Sequence, residues 1–136
     1  MMDAKRRLWL NREICRAAFS GGGIYLTFEE VTKLVLAFRD ERDWKQFHNP
    51  KDLALSLSLE AAELLEVFQW SGDDLEVLEK RERTVEELAD VAIYCIYLAD
   101  ALNTSLSDAI KHKLDKNATN YPARKAKGTS KKYSEL

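Results

Sequence analysis

The stretch Leu57-Ser58-Leu59-Glu60-Ala61-Ala62-Glu63-Leu64-Leu65-Glu66-Val67-Phe68-Gln69-Trp70 decides how the rest of the chain is read. Glu60, Glu63 and Glu66 recur at every third position in a run that is otherwise almost entirely apolar. A step of three turns about 300° around a helix, so successive carboxylates stack on one side. No Lys or Arg lies between Lys51 and Lys80, so these carboxylates have no counter-charge nearby in sequence. Like charges at helical spacing repel. The segment therefore predicts a helix with an acidic ladder on an apolar body.

The third helix repeats the pattern. Glu86, Glu87 and Asp90 lead into the apolar run Val91 to Ala99. Glu87 and Asp90 are again three apart, and Asp90 is flanked by Leu88, Ala89, Val91, Ala92 and Ile93. A carboxylate in such a helix is costly unless it is paired or metal-bound, so Asp90 is expected to be costly as a lone charge or to have a raised pKa. If the two helices pack antiparallel, Glu60, Glu63, Glu87 and Asp90 converge on one cavity. Hard divalent ions with oxygen ligands relieve four clustered anions, and Mg²⁺ is the usual choice where phosphate also binds. As a plain alternative, Glu86 and Glu87 serve the helix dipole or a capping box, and Glu66 is solvated.

Signals at helix ends organise the chain around these two segments. Thr27 with Glu30 reads as a capping box, opening a first helix over about 28–42. Asn49 and Pro50 suit an N-cap and first helical position, with Leu53, Leu57, Leu64 and Phe68 on or near one stripe, to about Trp70. Thr84 with Glu87 predicts another box and a third helix to about Leu102, with Asn103 as a left-handed stop. Ser105 with Asp108 opens a fourth helix, which Tyr121 and Pro122 close near Asn120. The expected fold is all-α, and no internal repeat is visible.

Composition agrees. The 136 residues carry 46% hydrophobic and 32% charged side chains, with only 5 Gly and 2 Pro, too few breakers for a sandwich or barrel. A net charge of −2 gives no global attraction to nucleic acid or anionic membrane. The longest apolar run, Val91 to Ala99, is far too short to span a membrane. Cys15 and Cys95 support neither a zinc site nor a disulfide framework, which points to a reducing, cytoplasmic setting. Three regions are expected: an extension over 1–23 ending in Gly21, Gly22 and Gly23, a helical domain over 24–122, and a basic tail over 123–136. Removal of 1–23 is expected to leave activity and assembly unchanged. Nucleic-acid binding by the tail is disfavoured by the acidic core.

Other helical metal sites are excluded. His48 follows Lys45 by three and His112 follows Ala109, so the Glu-x-x-His pair of di-iron bundles is absent, as are a Walker A motif and an EF-hand loop. Trp44, Phe47 and His48 lie in the link between the first two helices, Trp70 closes the second, and Tyr94 sits one turn past Asp90. Lys113, Lys116, Asn117, Asn120 and Tyr121 lie along or just after the last helix, with Lys113 and Asn117 on one face. Each of these has an ordinary structural reading as core or solvated surface. Together they suit a phosphorylated, aromatic ligand.

Glu60-Ala61-Ala62-Glu63 followed by Glu87-Leu88-Ala89-Asp90 resembles the bipartite acidic signature of the MazG-like, all-α nucleoside triphosphate pyrophosphohydrolases. Glu41 to Lys51, Leu64 to Trp70, and Lys113 to Asn117 with Tyr121-Pro122 are similar to the branch that acts on dCTP. The resemblance spans about residues 28–133. It implies a four-helix MazG-like bundle completed by homo-oligomerisation, as a homodimer or homotetramer. It implies Mg²⁺ held by Glu60, Glu63, Glu87 and Asp90. Trp44, Trp70 and Tyr94 match positions near base and sugar, with His48 less closely; Lys113, Asn117 and Tyr121 match positions near the phosphates. The implied reaction is hydrolysis of a nucleoside triphosphate to monophosphate and pyrophosphate, with Glu63 touching the attacking water. The competing reading is a non-enzymatic helical dimerising module whose acidic residues are caps and solvated faces.

Overall fold

The computed structural model describes residues 25–136; the extension over 1–23 and its triple glycine lie outside the described residues. Every regular element described is helical. α1 spans Phe28–Asp40, α2 Pro50–Glu66, α3 Arg81–Ala101, α4 Leu106–Asn120, and the single turn α5 Ala123–Ala126; 3₁₀ turns cover Trp44–Phe47, Leu78–Lys80 and Tyr133–Glu135.

The caps of α1, α2 and α4 form as read. Thr27 accepts from the Glu30 amide while the Glu30 carboxylate accepts from the Thr27 amide. Asn49 accepts from the Asp52 amide and Ser105 from that of Asp108. Each such cap is worth about 0.5–2 kcal/mol. Asn103 takes a left-handed φ of 53° after α3, as expected.

Two boundaries differ. α2 ends at Glu66, and Phe68 to Trp70 form turns instead of a last helical turn. α3 begins at Arg81, not at Thr84. The Thr84 hydroxyl donates to the Lys80 carbonyl at 3.0 Å, and Glu87 accepts from Arg83, so no capping box forms there. Thr84 with Glu87 has the pattern of a start signal, but a Ser or Thr inside a helix instead bonds the carbonyl four residues back.

The described residues divide into two compact units, one ending at Leu98 and the other spanning Ala99–Leu136. In the first, Leu53 is buried and Leu57, Leu64 and Phe68 are half-buried, so the predicted stripe of α2 is its inner face. The Tyr97 hydroxyl of α3 donates to the Val35 carbonyl of α1 at 3.4 Å. The loop from Val67 to Lys80 is pinned at both ends: Lys80 Nζ donates to the Val67 carbonyl at 3.1 Å, and Asp74 Oδ1 accepts from the Glu76 and Val77 amides. Val77 holds φ at 44° with its side chain buried. A β-branched residue there costs about 1–3 kcal/mol, which the buried side chain and the Asp74 bonds offset. In the second unit, α4 and the segment after it are joined by a ring contact between Tyr121 and Tyr133.

Candidate metal and nucleotide site

α2 carries Glu60 and Glu63 one turn apart, and α3 carries Glu87. One carboxylate oxygen from each of the three lies within 4.8 Å of the others. Glu60 and Glu87 are half-buried and Glu63 is exposed. Burial raises the Glu60 pKa above 4.5, and the charges of Glu63, Asp90 and Glu87 push the same way. That is the signature of anions gathered without sufficient counter-charge. The three oxygens are hard donors, so the set fits a hard divalent cation such as Mg²⁺ and not a soft one.

Asp90 is placed differently from the expectation. It is exposed instead of enclosed by its apolar neighbours, and it stands outside the group of three oxygens within 4.8 Å. It acts on Glu60 through its charge and lines an adjoining cavity. The flanking Leu and Ala residues of α3 leave room around it because α3 is itself partly uncovered, with Val85 and Leu88 exposed.

A counter-charge also exists that the gap from Lys51 to Lys80 did not reveal. Arg83 reaches Glu66 at 3.8 Å and Glu87 at 3.3 Å. It lies one turn before Glu87 on α3 and bridges back to the end of α2. Its guanidinium is about half exposed, so these pairs are worth at most about 1 kcal/mol each. Glu66 is thereby engaged outside the cluster, in line with its plain reading.

Beside the carboxylates a cavity of about 410 Å³ opens between α1, the 3₁₀ turn and α3. Leu34, Val35 and Phe38 come from α1, and Ile93, Tyr94 and Tyr97 from α3; Trp44, His48 and Asp90 complete the lining. Trp44, His48 and Tyr94 were all expected near a base and sugar, and they meet in this one space. Trp44 sits edge-on to Phe38 with centroids 5.9 Å apart, and the Arg42 guanidinium lies 3.5 Å from the Phe38 ring. His48 tilts against Tyr97 at 4.8 Å, and Tyr94 meets Tyr97 edge-on at 5.9 Å. His48 Nδ1 is buried without a hydrogen-bond partner among the described residues. Burial and the Arg39 charge lower the His48 pKa below 6.5, and burial raises that of Tyr97 above 10.0. Both rings are therefore uncharged at neutral pH.

Sequence reading missed Tyr97 and Arg39. Tyr97 follows Tyr94 by three on α3, a periodicity that could have marked it. Arg39 is 2% exposed beneath the Tyr97 ring and donates to Asp40 at 2.8 Å. Only packing tells that buried Arg from the solvated Arg a helix end usually carries.

Trp70 is not in the cavity lining. It takes a φ of 67° in the turn after α2 and is 92% exposed. In the second unit, Lys113 is exposed and Asn117 half-buried on α4, and the Tyr121 amide closes the helix on the Asn117 carbonyl at 2.7 Å.

Comparison with known proteins agrees with this arrangement. The MazG-like family model matches residues 55–136, which contain the acidic residues of both helices. The chain is 43% identical to human dCTP pyrophosphatase 1 over 115 residues, covering 81% of this chain and 68% of the relative. The bovine protein of the same name is 39% identical over the same span. A solved pyrophosphatase from Archaeoglobus fulgidus superposes with a TM-score of 0.63 at 43% identity, covering 74% of this chain and 99% of that one. The acidic helices, the all-helical architecture and these relatives agree that the chain belongs to the MazG-like family.

Proposed function

We propose that this protein is a Mg²⁺-dependent, cytoplasmic hydrolase that converts a nucleoside triphosphate, dCTP or a related pyrimidine deoxynucleotide, to the monophosphate and pyrophosphate. The observation that carries the reading is the convergence of Glu60, Glu63 and Glu87 from two helices within 4.8 Å. Membership of a family whose curated relatives are named dCTP pyrophosphatase supports the substrate class.

Glu60, Glu63 and Glu87 hold the cation, with Asp90 joining them from the cavity side. When bound, the divalent ion neutralises charge on the phosphates and on the leaving pyrophosphate. The apolar cavity takes the base, with Trp44 and Tyr94 against its faces and His48 and Asp90 as its polar contacts; Trp70 closes on the ligand from its exposed turn. Glu63, the exposed member of the trio, accepts a hydrogen bond from a water and directs it at the α-phosphorus. The water oxygen bonds to that phosphorus and its proton passes to the Glu63 carboxylate, while the bond from the phosphorus to the bridging oxygen breaks and pyrophosphate leaves with that oxygen. Lys113, Asn117 and Tyr121 contact the phosphates.

The protein works as a homodimer or homotetramer. Leu55, Leu59 and Leu65 of α2 are 58%, 64% and 70% exposed, a stripe on the face opposite Leu53. An apolar face of this kind suits a second copy. Sedimentation should give a mass above that of one chain.

Incubation with a panel of ribo- and deoxynucleotides and Mg²⁺, with products separated by chromatography, tests the reaction. Release of monophosphate and pyrophosphate in equal amounts is expected, fastest for a pyrimidine deoxynucleotide. Stability unmoved by Mg²⁺ plus dCTP in a thermal melt, with no turnover, would return the chain to the interaction-module reading.

A further inference from the structure

α1 ends at a corner, and the corner is built around one guanidinium. The amides of Arg42 and Asp43 donate to the Arg39 and Asp40 carbonyls, each at 3.1 Å, so the backbone leaves α1 through two overlapping turns. Asp43 then takes a left-handed φ of 54°, which Asp tolerates because its short polar side chain bonds locally. Gln46 Nε2 holds the reversal from beyond it, donating to the Asp43 carbonyl at 3.0 Å and to Asp43 Oδ2 at 2.9 Å. The chain thereby sets Trp44, the first residue of the 3₁₀ turn, edge-on to the Phe38 ring of the helix it has just left.

Arg42 sits in that corner. Its Nη1 donates to the Phe38 carbonyl at 2.8 Å, which folds the side chain back over the residue four before it. The guanidinium carbon lies 3.5 Å from the Phe38 ring centroid and 5.8 Å from that of Trp44. Glu41 competes weakly for it, at 3.9 Å with both side chains well exposed. Phe38 and Trp44 line the apolar cavity, and Arg42 does not. The cation therefore meets the cavity only through two of its rings. A cation that serves the end of α1 needs the carbonyl bond alone; the stack on Phe38 and the approach to Trp44 go beyond that role. Phe38 is 47% and Trp44 44% exposed, so burial alone does not fix either ring. A flat guanidinium against aromatic faces restrains them, and rings ordered before a ligand arrives lower the ordering cost of binding it.

We propose that Arg42 is a positioning residue for the nucleobase: stacked on Phe38 and close to Trp44, it fixes the aromatic wall against which the base lies, an inference that rests on the pyrophosphohydrolase reading. It acts through Phe38 and Trp44, not through the carboxylate trio or the phosphates.

The test uses the full chain. Arg42→Met keeps the side-chain length and removes both the charge and the flat fork. It should raise KM for dCTP by about tenfold with kcat little changed. Affinity for deoxycytidine, measured by calorimetry, should fall by a similar factor. Affinity for inorganic tripolyphosphate with Mg²⁺ should stay at the wild-type value. Arg42→Lys keeps the charge but not the flat stack, so it should show a smaller loss in the same direction. That milder variant decides the matter by the same comparison of ligands if Arg42→Met does not fold. Trp44→Phe should also weaken deoxycytidine binding, and adding Arg42→Met to it should cost little more, because both act on one wall. A lowered melting temperature with unchanged deoxycytidine affinity marks Arg42 as a helix cap and overturns the proposal. Equal losses for deoxycytidine and tripolyphosphate overturn it, since they show a damaged fold. Full additivity of the Arg42 and Trp44 losses overturns it as well. Arg42-dependent deoxycytidine binding in a protein that hydrolyses no nucleotide would refute the enzymatic reading and leave the aromatic wall; turnover with Arg42-independent binding would do the reverse.

Discussion

The residues up to Leu98 and those from Ala99 onward treat charge in opposite ways. Residues 25–98 hold eight Lys and Arg against seventeen Asp and Glu, whereas 99–136 hold eight against four. In the first unit cations are used locally: Lys33 with Glu29, Arg39 with Asp40, Lys51 with Asp52, and Arg83 with Glu66 and Glu87. The acidic excess survives at Glu60, Glu63 and Glu87, beside a cavity that is nearly all apolar. In the second unit the excess is cationic, and none of its Lys or Arg residues makes an ion pair among the described residues. The difference teaches that neither unit is electrostatically finished. The first carries an excess of carboxylates and the second an excess of cations.

The largest expected effect tests the acidic side. Glu63→Gln should lower turnover by at least about a hundredfold while circular dichroism stays unchanged, since it removes a charge where the reaction needs one. Near-wild-type turnover would take Glu63 out of the site and leave the charge contrast without a chemical purpose.

Glu60→Gln sharpens the contrast through stability. Burial and then the neighbouring carboxylates push its carboxyl toward the neutral form, so the variant without metal should melt at the same temperature or higher. The gain on adding Mg²⁺ should shrink from the wild-type increment, which is about 2.7 kcal/mol at a hundredfold excess over the dissociation constant. A destabilised apo variant with a full Mg²⁺ increment would show a structural Glu60. Asp90→Asn should follow the same pattern more weakly, because Asp90 stands outside the close trio.

His48 gives a pH test of the cavity. Its pKa is lowered in the folded chain by burial and by Arg39, so the unfolded chain takes up a proton first as pH falls. The stability it contributes is fully present above about 6.5 and is lost as pH drops through the lowered folded value. His48→Phe should flatten the acid limb of melting temperature against pH below about 6.5. An identical limb in both proteins would mean that His48 is not buried in solution as it is here.

The smallest effect concerns Arg83. Its pairs are half exposed, so Arg83→Ala should cost less than about 1 kcal/mol in a denaturant melt and leave Mg²⁺ binding intact or slightly tighter. A large loss of Mg²⁺ binding would mean that Arg83 organises the cluster instead of competing with it.

What the sequence by itself determined is local. Helix caps at Thr27, Asn49 and Ser105, the left-handed stop at Asn103, and the inner stripe of α2 depend on groups within one turn of each other, so residue order suffices. The pairing of Glu60 with Glu63 is of the same kind. Where two local signals competed, at Thr84 and beyond Glu66, residue order could not say which bond would form. The tertiary structure alone decided the rest: that Glu87 joins the trio while Asp90 faces the cavity, that Arg83 bridges α3 to α2, that Arg39 is buried under Tyr97, and that Tyr133 returns to Tyr121. Each depends on how elements distant in sequence are rotated and approach one another, and a helix of given periodicity presents the same pattern of side chains whatever it packs against.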